Sequence, residues 1–221
     1  MLNTLSNQDL FPHDGKEITR DDIFNVVGPI LNINDRLIEV FWNAALEVSG
    51  GTDTLSLDQL NKHNIIEHDG SPIHQDFYFG DVQPFNQTIF DQTRSYWTDP
   101  GTIYLEQAAR APLARIETSK ATDPTYNATT VARSSVPETA IYILTMGDYD
   151  AVSAPRAFVE YFFEMERLPT ELGWTKPSVL ITNAVLGNHD PAYRSSYSQV
   201  DGAGWNRILG SAISVVEDVD F

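Results

Sequence analysis

The 221 residues contain no cysteine. That absence removes disulfides, sulfur-based zinc sites, thiol nucleophiles and thiolate ligands from anything these residues can do by themselves. Basic residues are scarce too, with 14 Lys and Arg against 31 Asp and Glu, a formal charge of −17. Without a basic cluster to neutralise phosphates, nucleic acid is excluded as a partner. No apolar run approaches the ~18 to 20 residues that a membrane-spanning helix needs. Met1-Leu2-Asn3-Thr4 has neither the basic start nor the apolar stretch of a signal peptide. The residues as they stand therefore read as a soluble chain with no membrane partner. Internal repeats at solenoid spacing, low-complexity tracts and composition shifts that would mark a linker are lacking as well.

What is present suffices for a core. Hydrophobic residues make up 42% of the chain, and folding at this size buries about 70% of the surface that the unfolded chain exposes. Helical spacing dominates. Thr19 before Arg20-Asp21-Asp22 reads as an N-cap with acids in the first turn. Asn34 caps a cleaner helix whose stripe of Leu37, Ile38, Phe41, Ala44, Ala45 and Val48 stops at Gly50-Gly51. Ser56 caps a short third helix through Leu57 and Leu60. Further helical stretches are read at 87–96, 103–119, 136–146 and 154–167, the last ended by Leu168-Pro169. Strand signals are few, and the segments 70–84 and 187–204 are long and rich in Gly, Pro, Asp and Asn. The expected fold class is all-α, a single domain over residues 1–221 with functional loops.

The densest polar cluster is Asn64-Ile65-Ile66-Glu67-His68-Asp69-Gly70-Ser71. Two isoleucines followed by an acid, a base and a second acid set three ionisable groups at the edge of apolar surface, where burial shifts proton affinity toward acid-base use. The same residues also make an ordinary solvated turn, and both readings stay open. Glu138 follows Pro137 and precedes the apolar Ala140, Ile141, Tyr142, Ile143 and Leu144. It is either a dipole-stabilising acid in a first helical turn or a functional carboxyl against apolar surface. His13-Asp14-Gly15 and Asn188-His189-Asp190-Pro191 sit among turn formers and read as loops. His63 and His74 have no partner at a metal-binding spacing, and Trp42, Trp97, Trp174 and Trp205 read as core or rim. Asn86-Gln87-Thr88 and Asn127-Ala128-Thr129 are glycosylation sequons which, with the acid excess, suit an extracellular protein.

Several segments resemble one family. Met1-Leu2-Asn3-Thr4-Leu5-Ser6-Asn7, Leu10-Phe11-Pro12-His13-Asp14-Gly15 and Ile18-Thr19 are similar to the N-terminal landmarks of fungal heme haloperoxidases (chloroperoxidases) and short unspecific peroxygenases. Glu67-His68-Asp69-Gly70-Ser71 resembles their E-H-D-x-S motif. Pro137-Glu138-Thr139-Ala140 with Met146-Gly147-Asp148 resembles their second acidic segment, and Glu166-Arg167-Leu168-Pro169 with Leu172-Gly173-Trp174 their ERLP and LGW landmarks. These matches keep the family's order over roughly residues 1–175.

The resemblance implies a mainly helical chloroperoxidase-like domain with loops around a pocket for heme b. It implies hydrogen peroxide and a small organic molecule as reactants, with a thiolate on iron that favours O–O cleavage. It assigns Glu138 as the acid-base, His68 as its partner and Asp69 as the group fixing the imidazole. It further implies Mg²⁺ or Mn²⁺ joined to a heme propionate by Glu67, the His68 carbonyl and Ser71, an oxygen-only set that suits a hard cation. Family members are secreted, and a monomer or small homo-oligomer is expected.

Two departures stand out. The family's Pro-Cys-Pro falls just before the residues matching Met1, and Asn7-Gln8-Asp9 stands where Asn-His-Gly is usual. Either the start was assigned at an internal methionine and the cysteine lies upstream, or the chain is a heme-free relative that binds or transforms a small molecule by acid-base chemistry. A third reading is a structural protein stabilised by a cation at Glu67 and Ser71.

Overall fold

Polar side chains placed to satisfy free backbone groups set most of the helix starts. The computed structural model describes residues 1–182, apart from the side chains at positions 132, 133, 136 and 137. The loop read at 187–204, with His189, and Trp205 lie outside the described residues. Helix α1 spans Leu2–Ser6 and α2 spans Arg20–Leu31. Thr19 caps α2 in a reciprocal box, its hydroxyl accepting from the Asp22 N–H at 3.1 Å while the Asp22 carboxylate accepts from the Thr19 N–H at 2.9 Å. Helix α3, Asp35–Ser49, starts at Asn34, whose side chain accepts from the Leu37 N–H, and ends at Gly50 in the left-handed conformation. The short third helix is a 3₁₀ turn, Leu57–Asn61.

Helices α4 (Gln87–Ser95), α5 (Leu105–Thr122), α6 (Ala128–Met146) and α7 (Arg156–Met165) follow. Both sequon asparagines are helix caps: Asn86 accepts from Thr88 and Ile89 N–H, and Asn127 from Thr129 and Thr130 N–H. The sequence reading began α6 at residue 136, because Pro137 looks like a first-turn proline. The helix instead begins at Ala128 under the Asn127 cap, so Glu138 stands near its middle and is no first-turn acid. Helix α7 stops at Glu166, which turns left-handed with φ 49°, before Leu168-Pro169 is reached. Helix α1 was not foreseen.

Strands are few, as expected from the weak β patterning. β1 (Ile18–Thr19) pairs antiparallel with β2 (Thr54–Leu55), and β3 (Thr102–Tyr104) pairs antiparallel with β4 (Ser153–Pro155), Ile103 opposite Ala154. Among the described residues no helix is long and apolar enough to cross a membrane.

The buried apolar side chains form one cluster running from Leu5 and Ile18 through Leu31, Ile38 and Trp42 to Phe90, Trp97, Ile143 and Trp174. Each fully buried Leu or Ile contributes about 1.5–3 kcal/mol over its exposed state. Trp42, Trp97 and Trp174 are core residues. Helix α6 passes through this core between α5, α7 and β4. Gly147 ends it where a Cβ would run into the Ser153 carbonyl oxygen, so no larger residue fits.

Helix α1 is tied to the end of α7. Asn7 donates to the Glu166 carbonyl at 3.2 Å, and Gln8 accepts from the Leu168 N–H at 3.2 Å. Asp9, where the resembled family has glycine, sits in the left-handed conformation with φ 58°, which glycine adopts without steric cost.

Candidate functional site

The cluster legible at residues 64–71 is folded inward. After the 3₁₀ turn at Leu57–Asn61, Asn64 takes φ 64° and its N–H bonds the Glu67 carbonyl at 3.0 Å. This tight reversal lays His63 back against Glu67, with His63 Nδ1 2.6 Å from Glu67 Oε2. Glu67, His68, Asp69 and Ser71 are all buried, so the solvated-turn reading does not hold. At Gly70, φ 76° and the approach of Ile116 on α5 both favour a residue without a side chain.

His68 is the pivot. Its Nδ1 donates to the Asp69 carbonyl at 2.7 Å, which leaves Nε2 to face Glu138 Oε2 on α6 at 3.2 Å. Residues 70 positions apart thus form an acid-base pair. Burial by itself would lower the His68 pKa. The hydrogen bond and charge of Glu138, the Asp69 carbonyl and the charge of Glu67 outweigh it and push the imidazole up to about 9. At neutral pH His68 is therefore an imidazolium donating to Glu138. The Glu138 side chain is 52% exposed, in place of the dry apolar setting expected for it, so its carboxylate is open to a reactant.

Asp69 differs from its expected role. Its backbone carbonyl orients the imidazole, while its carboxylate, with residue exposure 0%, turns away from His68 toward His63 Nε2 at 4.0 Å. Both carboxylate oxygens lack hydrogen-bond partners. Burial raises the Asp69 pKa; nearby His63 opposes the rise, and the charges of Asp123, Asp76 and Glu67 add to it.

Four further residues surround the site and belong to no motif. Arg115, buried on α5, donates through Nε to the Ser71 carbonyl at 3.1 Å and through Nη2 to Asp76 Oδ1 at 3.4 Å. Asp76 Oδ1 also accepts from the Gly70 N–H at 2.8 Å, so this pair clamps both ends of the loop. His74, whose pKa burial lowers, lies within electrostatic reach of Glu67, His68 and Glu138. His63, which has no partner at a metal-binding spacing in the sequence, contacts Glu67 and stacks on Phe77 with ring centroids 4.5 Å apart. Its one sequence signal was the four-residue spacing to Glu67. His13 is exposed in its loop, as read.

The donor chemistry can be compared with what the resembled family requires. For a hard cation the oxygens fit: Glu67 Oε1 is buried with no hydrogen-bond partner, and the Ser71 hydroxyl is buried nearby in sequence. Among the described residues no three or more His, Asp or Glu side chains converge as a group that could hold a metal ion, which an oxygen set using one carboxylate does not need. For heme, the open carboxylate beside an imidazolium fits the acid-base half. The proximal half does not fit, because these 221 residues hold no sulfur donor other than methionine.

Residues 1–179 match the family model described as Peroxidase, family 2. An aromatic peroxygenase of Coprinellus radians is 32% identical over 149 residues, covering 58% of this chain and 57% of that protein. An aromatic peroxygenase of Cyclocybe aegerita is 30% identical over 147 residues, covering 57% of this chain and 39% of that protein. The matched segment thus spans about half or less of these relatives' length.

Proposed function

The chain belongs to peroxidase family 2, and from that premise we propose that it is the acid-base half of a peroxide-dependent oxidoreductase acting on small, aromatic organic substrates. The observation that carries this reading is the 3.2 Å contact of His68 Nε2 with the half-open Glu138 carboxylate. Glu138, through the oxygen that does not face His68, takes a proton from one oxygen of hydrogen peroxide and returns it to the other. His68, held by the Asp69 carbonyl, keeps the Glu138 carboxylate aimed through both transfers. Heme b, when bound, supplies the oxidising chemistry that peroxide cleavage makes available.

The thiolate that would hold that heme is assigned to residues outside these 221, which contain no cysteine. Glu67, the His68 carbonyl and Ser71 hold Mg²⁺ or Mn²⁺ in this reading. Secretion, glycosylation at Asn86 and Asn127, and a monomeric or small homo-oligomeric state complete it, supported by the acid excess and by sequon asparagines that are only half-buried.

The test is expression of the full reading frame that contains Met1, with heme supplied. The expected result is a thiolate-type spectrum with carbon monoxide and peroxide-dependent oxidation of an aromatic substrate. Glu138→Gln should lower kcat by about 100-fold or more, a loss far larger than its cost of about 1–3 kcal/mol in folding stability could produce in a chain that stays folded. A frame that encodes no cysteine, with turnover that needs no peroxide, would overturn this reading. The lack of cysteine favours, in that event, the second one: a heme-free relative using the same pair on a small molecule.

A further inference from the structure

We propose that His63 is a positioning residue for a divalent cation, fixing Glu67 as a one-oxygen ligand. This rests on the reading of Glu67, the His68 carbonyl and Ser71 as cation ligands. A carboxylate free to rotate can chelate with both oxygens, swing away, or pair with a neighbouring cationic side chain. Here Oε2 is engaged by His63 Nδ1 at 2.6 Å, whereas Oε1 is buried and has no hydrogen-bond partner. A buried carboxylate oxygen without a donor is costly, and a cation removes that cost. The two oxygens are therefore already divided, one oriented by His63 and the other without a hydrogen-bond partner.

The imidazole is itself held in place. The Asn64 turn, closed by its N–H on the Glu67 carbonyl, fixes the backbone on both sides of the contact. Phe77 packs flat on the ring, with planes 10° apart. On the far side Nε2 faces the Asp69 carboxylate at 4.0 Å, so an acid, an imidazole and the ligand carboxylate stand in series. Partners of this kind orient metal ligands and raise their basicity, and their loss weakens metal affinity by about 10–100-fold.

Mn²⁺ titrated into the full natural chain, read by calorimetry and by loss of the free-ion electron spin resonance signal, tests the assignment without any turnover. Wild type should bind one Mn²⁺, and Glu67→Gln should abolish binding. His63→Ala should weaken it by about 10–100-fold, and His63→Asn, whose amide keeps a donor near the Nδ1 position, should restore most of the affinity. Thermal melts of each variant separate loss of ligand from loss of fold. Wild-type affinity in a folded His63→Ala, or tighter binding because the ring had competed for Glu67, overturns the role of His63 and leaves the cation site standing. No binding by wild type overturns both.

Discussion

The α2–α3 pair and the segment from His63 to Asp76 are both buried, by opposite means. Between α2 and α3 the interior is Leu31, Ile33, Leu37, Ile38 and Trp42, and the polar groups at the helix ends are satisfied within three residues by Thr19, Asp22 and Asn34. In the other segment Glu67, His68, Asp69, Ser71 and Asp76 go inside, and His68, Ser71 and Asp76 meet Glu138 on α6 and Arg115 on α5, 39 to 70 positions away. Apolar burial is non-directional and tolerates approximate packing. Polar burial is stable only when each group finds a partner at hydrogen-bond distance. The chain therefore concentrates its chemistry where local sequence has least control over geometry.

The sharpest way to break this contrast is Arg115→Met, which leaves Asp76 buried without its cation. Loss of one partner of a buried pair costs about 3–5 kcal/mol, read by denaturant unfolding; a loss below about 1 kcal/mol would show that the loop does not depend on the clamp.

Proton linkage should give a smaller effect. His68 has its pKa raised from 6.5 to about 9, so the stability it contributes is fully present below pH 6.5 and is lost as pH rises through about 9. The expected decline between those values is about 1–3 kcal/mol, toward the lower figure because Glu138 is half open to water. Thermal unfolding across pH 6–10 checks it, and Glu138→Gln should flatten the slope. The smallest effect belongs to the apolar region: Asn34→Ala removes one cap and should cost about 1 kcal/mol, without any change in that pH slope.

The same contrast explains what could be read in advance. Helix α3 was legible because its cap, its apolar stripe and Gly50-Gly51 all lie within its own residues. The start of α6 was misread because Pro137 is a strong local signal, while Ala128 to Ser135 is rich in β-branched and hydroxyl residues of modest helix propensity. Tertiary packing outweighed both. Glu67, His68, Asp69, Ser71 and Glu138 were recognisable through motif resemblance. Their division of labour was not: the Asp69 carbonyl holds the imidazole while its carboxylate faces His63, and Arg115, Asp76 and His63 follow no motif.

Residue order alone decided the helical class, the caps, the acid excess and the want of a sulfur ligand, since each of these depends on composition or on neighbours within a turn or two. Only the folded chain decided that His68 meets Glu138, that Glu67 keeps one oxygen free, and that Glu138 stands open to a reactant. Those outcomes depend on where α5 and α6 cross the 63–76 segment, and directional contacts between distant residues form only after the core has set those crossings.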